Sequence, residues 1–249
     1  MIQKYKEFLI SLTKKFIGVY LKKKLIIIFF LGFSAGLPFL LMFSTLTAWL
    51  YQVGVDKTTI GLFVLTGSVF TLKFVWAPIV DSIQLPILTN ILGQRRSWLF
   101  SSQIICLVSL IGLGLSNPSN GLGLTILFAI ILAFASATQD IVIDAFRIES
   151  LASDEQGAGA AIYQIGYRIA LIAAGAGALV LADIIGWVLT YFIMSIFMLV
   201  GILTVLMSSE PSKFQELSQD TFSGDDQLKL KKINKWLKAS VIEPFKDFY

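Results

Sequence analysis

The chain has 249 residues, of which 56% are hydrophobic and only 14% are charged, and its net charge is +4. A soluble domain of this length carries about a quarter charged residues, so the composition excludes that class. Histidine is absent, which excludes imidazole as a base, metal ligand or pH switch, and a single cysteine, Cys106, excludes an internal disulfide. The basic residues flank apolar runs, so the charge indicates membrane topology and not nucleic-acid binding.

Six apolar runs, each of the length that crosses a bilayer, follow one another along the chain. They are predicted at about 25–50, 59–80, 98–116, 122–147, 158–182 and 187–207. Residues 1–24 carry seven lysines and predict a basic, amphipathic cytoplasmic segment. Residues 208–249 are polar and predict a cytoplasmic linker. The predicted fold class is therefore an all-α membrane protein with a six-helix bundle over residues 25–207.

Lysine and arginine are unevenly divided between the two sides of this bundle. With the amino terminus in the cytoplasm, 17 of the 20 basic residues lie in cytoplasmic segments and one, Lys57, lies outside. Positive residues concentrate on the cytoplasmic side of membrane proteins. We therefore expect a multi-pass protein of the bacterial inner membrane, in contact with lipid, with both termini cytoplasmic.

Charged and polar side chains interrupt three of the predicted spans. They are Lys73 in the second, Ser136, Gln139, Asp140, Asp144 and Arg147 in the fourth, and Gln164 and Arg168 in the fifth. A charge inside the bilayer costs about 2.5–3.5 kcal/mol unless it faces a partner or water. Because Lys73, Asp140 and Arg168 fall at similar depths, we expect Asp140 to pair with one or both cations.

Two interpretations of these residues stay open. In the first, they form structural ion pairs that lock the helices together. In the second, they line a polar cavity, where Lys73 and Arg168 attract an anionic substrate and Asp140 or Asp144 exchanges a proton. Asp144 and Arg147 lie nearer the cytoplasm, where a gate or a helix-end ion pair is expected.

The loop between the second and third predicted spans carries a candidate cytoplasmic gate. Asp81 closes the second span, and Gly93, Arg95 and Arg96 precede the third. An acid followed by glycine and a basic pair resembles the cytoplasmic signature of the major facilitator superfamily. Ser82 stands where that signature usually has a basic residue, and the interval from Asp81 to Gly93 is longer than usual.

Longer strings carry a more specific resemblance. They lie at residues 32–38, 48–50, 58–63, 73–78, 136–147, 157–161 and 166–168, with a further match at 244–248. In these strings the chain resembles the AmpG muropeptide permeases of Gram-negative bacteria. Their wider family includes acetyl-CoA transporters and belongs to the major facilitator superfamily.

The resemblance implies a transporter and not an enzyme, with no cofactor. Its implied activity is proton-driven import of anhydro-muropeptides, which are anionic glycopeptides, for cell-wall recycling. The implied fold has two six-helix halves, each a three-plus-three inverted repeat, with the substrate between them. The substrate and proton candidates are those that interrupt the spans: Lys73, Gln139, Asp140, Asp144, Gln164 and Arg168.

The chain has only half of the helices that this fold requires. A truncated or split reading frame is expected, and a half that pairs with a separately encoded carboxy-terminal partner or with its own copy is the alternative. Two other functions stay open: transport of another cargo, such as an acyl-CoA, a sugar or a peptide, and a membrane fragment that transports nothing.

Overall fold

The computed structural model describes residue 20 and residues 22–211. Within that part of the chain all regular structure is helical, and six helices are long and apolar enough to cross a membrane. We number them span 1 to span 6: Lys23–Gln52, Lys57–Val75, Gln94–Leu115, Gly123–Ser150, Ser153–Ile185 and Trp187–Met207. The predicted cytoplasmic segments at 1–24 and 208–249 lie mostly outside the described residues.

Spans 1, 3, 4 and 5 each extend at one or both ends beyond the apolar runs from which they were predicted, and in spans 3 and 4 the added residues include charged ones. Span 3 begins at Gln94, and span 4 continues to Ser150. The added turns carry Arg95 and Glu149, whose side chains bond to each other across the two helices. An ion pair lets a charged turn stay helical where hydropathy alone predicts the helix to end.

Span 2 differs from the continuous helix expected over 59–80. It changes to tighter 3₁₀ turns at Val64–Gly67 and Lys73–Val75, and a separate short helix follows at Ala77–Ser82. The hydroxyls of Thr66 and Ser68 donate to carbonyls three residues earlier, at 2.6 Å, and compete with the regular backbone pattern. Pro78 lacks the N–H that would continue an α-helix through this point.

Span 1 lies at the centre of the bundle and packs against spans 4, 5 and 6, while span 3 packs against spans 4 and 6. Glycines bring spans 1 and 5 into backbone contact. A Cβ atom on Gly32 would collide with the carbonyl of Tyr163, and one on Gly166 would collide with the carbonyl of Phe29. Small residues at a helix interface permit this close approach in membranes.

Spans 2 and 5 are the least buried of the six. Only 6% of the most apolar stretch of span 2 and 22% of that of span 5 are buried, against at least 50% in each of the other four spans. One side of the bundle is therefore formed by helices with few neighbours among the described residues.

The bundle has two ends, which we call the Arg95 end and the Trp187 end. At the Trp187 end, the rings of Trp49 and Trp187 stack with centroids 5.6 Å apart, and Gln52 accepts a 2.7 Å hydrogen bond from Trp187. Below them, Thr45 in a π-helical turn of span 1 donates to the carbonyl of Ala174 in a π-helical turn of span 5, at 2.6 Å. These bonds tie spans 1, 5 and 6 together.

Candidate functional site

Span 4 presents two carboxylates one helical turn apart, in different surroundings. Asp144 lies between two cations: Lys73 Nζ is 4.0 Å from Oδ2 and Arg147 Nη2 is 3.5 Å from Oδ1. The Asp144 side chain is 48% exposed. Asp140 is more enclosed, and its Oδ1 is buried without a hydrogen-bond partner.

The prediction that Asp140 pairs with Lys73 or Arg168 is wrong. The ammonium of Lys73, at the start of the 3₁₀ turn Lys73–Val75, lies 4.0 Å from the Asp144 carboxylate instead. Arg168 is exposed, and none of the described residues bonds to its guanidinium. Span 5 turns Tyr163 and Tyr167 towards the bundle, which leaves Arg168 on the open side.

An aromatic surface next to the carboxylates was missed by the sequence analysis. The rings of Tyr163 and Tyr167 lie 6.2 Å apart, and the Arg147 guanidinium lies 5.7 Å from the centre of the Tyr163 ring. The two tyrosines are four residues apart on one helical face, a spacing that could have revealed them. Phenol rings supply apolar faces and hydroxyl groups, the surfaces that sugar rings contact.

The two candidate glutamines lie in opposite environments. Gln139 is fully buried, and its Nε2 donates to Ser34 Oγ of span 1 at 3.3 Å. Gln164 is exposed on span 5, one turn from Arg168. Lys73, Asp144, Gln164 and Arg168 are thus accessible in this structure, whereas Gln139 belongs to the interior of the bundle.

Arg95 is the centre of an ion-pair cluster at its end of the bundle. Its side chain is buried, with Nη1 2.5 Å from Asp81 Oδ1 and Nη2 2.6 Å from Glu149 Oε1. The cluster joins the short helix Ala77–Ser82 to spans 3 and 4. Of the gate candidates, Asp81 and Arg95 therefore meet, and Glu149 is a partner that the sequence analysis did not identify.

Glu210 caps the start of span 3. Its carboxylate accepts the backbone N–H groups of Arg95 at 2.8 Å and Arg96 at 3.2 Å. Burial raises the pKa of Glu210 above its ordinary value, against the opposing effect of these hydrogen bonds. Gly93 has φ of +94°, and a Cβ atom there would collide with the Glu210 carboxylate, so glycine is required on two grounds.

The remaining gate candidates have separate roles in the structure. The guanidinium of Arg96 donates to the carbonyls of Val205 and Leu206, each at 3.0 Å, and so caps the end of span 6. Arg147 is bonded to Asp144 and not to the Arg95 cluster. In the described part of the chain, no group of three or more acidic or cysteine side chains is arranged to hold a metal ion.

The sequence of this chain matches a family of known proteins. The Major Facilitator Superfamily profile matches residues 15–246. The anhydromuropeptide permease of Escherichia coli K12 is 34% identical over 239 residues, which are 96% of this chain and 45% of that protein. Putative transporter AmpG 4 of Rickettsia conorii is 34% identical over 224 residues, 89% of this chain and 51% of the relative.

The chain thus spans about half the length of the curated relatives that it matches. These relatives are named a permease and a putative transporter. Six apolar helices agree with the profile match, which extends over most of the sequence. The chain is a multi-pass membrane protein that belongs to the Major Facilitator Superfamily.

Proposed function

We propose that this chain is the amino-terminal half of a proton-driven importer of anhydro-muropeptides in the bacterial inner membrane. The observation that carries the proposal is an identity of 34% to the anhydromuropeptide permease of Escherichia coli, which extends over 96% of this chain. The paired charges of Lys73, Asp144 and Arg147 beside Tyr163 supply chemistry that suits this cargo.

The exposure of spans 2 and 5 supports the requirement for a second half. These spans are the least buried, and they form the side of the bundle that lacks neighbours. Lys73 lies on span 2, and Gln164 and Arg168 are exposed on span 5. In transporters built from two halves the substrate lies between them. A second bundle seated on this side would enclose these residues in a cavity.

The packing pattern supports a three-plus-three repeat within this half. An internal repeat relates span 1 to span 4, span 2 to span 5 and span 3 to span 6. Under this exchange, the contact between spans 1 and 5 corresponds to the contact between spans 4 and 2. The same exchange converts the contact between spans 3 and 4 into that between spans 6 and 1, and all of these contacts occur. Matched pairs of contacts of this kind are what an internal repeat predicts.

The charge distribution supports a cytoplasmic position for the Arg95 end. Lys22 bonds to Glu155 at 2.5 Å and Lys24 to the carbonyl of Ser150 at 2.8 Å, which places the start of span 1 beside the end of span 4. Arg95 and Arg96 lie at the same end, and Lys57 begins span 2 at the other. Basic residues mark the cytoplasmic side.

The proposed roles follow from chemistry and accessibility. Lys73 and Arg168 attract the peptide carboxylates of the cargo, and Tyr163 and Tyr167 contact its sugar rings. Asp140, which has no ion-pair partner among the described residues, is the proposed proton carrier. The Arg95 cluster holds the cytoplasmic ends of spans 2, 3 and 4 together, so that this half moves as one body against its partner.

Uptake in cells that lack their own permease tests the proposal. The cells express this chain alone, or joined to the carboxy-terminal half of the Escherichia coli permease, and receive labelled anhydro-muropeptide. We expect uptake by the joined protein that an uncoupler and Asp140→Asn abolish, while Asp183→Asn, an exposed carboxylate in span 5, leaves uptake intact. Membrane insertion without uptake, or uptake that unlabelled anhydro-muropeptide fails to compete, contradicts the proposed cargo.

A further inference from the structure

The connection between spans 2 and 3 combines exposed apolar side chains with an absence of charge. The 83–92 segment joins the short helix Ala77–Ser82 to span 3, and residues 82–94 carry no charged side chain. Exposed isoleucines recur at every fourth position from the short helix through this segment: Ile79, Ile83, Ile87 and Ile91. Large exposed apolar surfaces mark contacts with another protein or with a membrane.

Ile87 is presented outward by a strained turn. Its φ is +71° and its ψ is −57°, and the N–H of Leu88 donates to the carbonyl of Pro86 at 2.8 Å. These angles are those of the rare form of the γ-turn, and a β-branched side chain adds to its strain. The protein offers little in return, because Ile87 is 73% exposed and Ile91 is 71% exposed. A favourable environment for these side chains therefore has to come from outside the described residues.

The backbone of the 83–92 segment is suited to surroundings with little water. The N–H of Thr89 donates to the carbonyl of Leu85 at 3.0 Å, and that of Gly93 donates to the carbonyl of Thr89 at 2.9 Å. The N–H of Ile83 donates to the carbonyl of Ile79 at 2.9 Å, and Pro86 has no N–H. Backbone groups that enter a membrane have to find their hydrogen-bond partners within the protein. Much of this segment already meets that condition.

Trp98 indicates which surroundings the segment has. Its Nε1 donates to the carbonyl of Ile83 at 2.9 Å, and Gln94 Nε2 donates to the same carbonyl at 2.7 Å. The segment therefore begins beside the first turns of span 3. Trp98 shares a helical face with Ile105 and Val108, which are exposed and thus face lipid if span 3 crosses the membrane. The segment adjoins this face of span 3, whereas the open side of the bundle is formed by spans 2 and 5.

We propose that the 83–92 segment lies within the lipid leaflet at the Arg95 end, with Ile87 and Ile91 in contact with acyl chains. Its partner is the bilayer, which accepts uncharged, apolar surface and takes tryptophan such as Trp98 at the level of the head groups. Asp81 precedes the segment by two residues and Arg95 follows it by three, and the two side chains form an ion pair. The embedded segment thus holds this ion pair at a fixed depth in the membrane.

Fluorescence quenching in proteoliposomes tests the position of the segment. The full chain with Cys106→Ala receives one new cysteine, at Ile87→Cys or Ile91→Cys, which carries a nitrobenzoxadiazole label. Quenching is measured with a nitroxide attached to the lipid acyl chain near the head group, and separately with iodide in the water. Val108→Cys supplies the lipid reference, and Asp154→Cys, at an exposed position at the same end of the bundle, supplies the aqueous reference.

We expect the labels at both isoleucines to behave like the label at Val108. Their emission should shift to shorter wavelength than that at Asp154, the lipid nitroxide should quench them strongly, and iodide should quench them weakly. The label at Asp154 should show the reverse order of quenching. Ile87 and Ile91 are largely exposed, so replacing either one removes few contacts within the bundle, and the two labels report independently.

Two outcomes overturn the proposal. Iodide quenching at both isoleucines as strong as that at Asp154 means that the segment extends into water. Protection from both quenchers, in this chain alone or joined to the carboxy-terminal half of the Escherichia coli permease, means that protein and not lipid covers the segment. The inference goes beyond the proposed function, and because no cargo is present, its failure leaves the transport proposal untouched.

Discussion

Lys73 forms an ion pair with Asp144, at 4.0 Å between Nζ and Oδ2, while Asp140, one helical turn away, forms no ion pair with the described residues. Asp140 and Asp144 lie on the same face of span 4 but in different surroundings, so they can serve different roles. Asp144 is half exposed and contacts both Lys73 and Arg147, so it positions basic groups. Asp140 has a buried, unpartnered oxygen, and a change in its charge disrupts no ion pair.

Removing the charge of Lys73 separates stability from transport. An exposed ion pair contributes about 0–1 kcal/mol, so Lys73→Gln is expected to change the free energy of unfolding by less than about 1 kcal/mol. Uptake of the anionic cargo by the joined protein is expected to fall about tenfold, which corresponds to about 1.4 kcal/mol of binding. Lys57→Gln, at the opposite end of span 2, is the control. Unchanged uptake in Lys73→Gln would rule out its role in attracting cargo.

The stability of the bundle is expected to depend more on Arg95 than on the exposed Arg168. Arg95→Ala leaves the carboxylates of Asp81 and Glu149 without their shared partner, a loss that costs about 3–5 kcal/mol for a buried pair. Arg95→Lys keeps the charge but cannot contact both carboxylates with one planar group, so its loss is intermediate. Arg168→Ala, at an exposed site, is expected to stay within about 0.5 kcal/mol. Denaturant unfolding in detergent ranks the three, and equal losses at Arg95 and Arg168 would contradict the cluster's role.

Gly93→Ala is expected to destabilise the junction of spans 3 and 6. With φ of +94° and ψ of 170°, Gly93 lies in a region that only glycine adopts readily, so a residue with a side chain there costs about 1–3 kcal/mol, and the new Cβ atom meets the Glu210 side chain as well. Gly157→Ala is the matched control, because nothing lies within 4 Å of a Cβ atom there. Adding Glu210→Ala to Gly93→Ala removes the collision but also removes the cap of span 3, so the two effects oppose each other. Gly93→Ala alone should unfold at a lower temperature than Gly157→Ala, and the reverse order would contradict backbone strain at residue 93.

Asp56 is expected to make the start of span 2 sensitive to acid. Its carboxylate accepts the backbone N–H of Thr59 at 2.9 Å. Hydrogen bonding to the Thr59 side chain, and after it to this N–H, lowers the pKa of Asp56 below its ordinary value of 3.8. Because the folded pKa is lowered, the stabilisation is present above the unfolded pKa and is lost as the pH falls through the folded pKa. Asp56→Asn keeps a capping oxygen without the titration. Thermal midpoints measured from about pH 5 down to about pH 3 should fall more steeply for the native chain than for Asp56→Asn. Parallel curves would exclude the cap as the cause.

The helical class and the meeting of Asp81 with Arg95 could be predicted from sequence, because hydropathy and a short loop motif carry them. That Lys73 pairs with Asp144 and not with Asp140 could not be predicted from the sequence. It depends on the path of span 2, which changes to 3₁₀ turns at Val64–Gly67 and Lys73–Val75. Glu210 is distant in sequence from the helix start that it caps, so only the packing of span 6 against span 3 brings it there.

The burial of Gln139 likewise could not be predicted from helical periodicity. Helical spacing puts Gln139 beside Ser136, at the edge of the polar stripe. Whether that edge faces a cavity or a neighbouring helix depends on where span 1 lies, and the contact with Ser34 is a property of the assembled bundle. Spacing thus indicates which residues share a face, while packing decides what that face contacts.

Proton movement in proteoliposomes tests the central claim most directly. The chain joined to the carboxy-terminal half of the Escherichia coli permease is reconstituted with a pH-sensitive dye inside the vesicles, and anhydro-muropeptide is added outside without an imposed gradient. A proton-coupled importer predicts acidification of the lumen that is absent in Asp140→Asn and present in Asp183→Asn. Entry of labelled anhydro-muropeptide without acidification, or acidification driven by an unrelated sugar or acyl-CoA but not by anhydro-muropeptide, would contradict it.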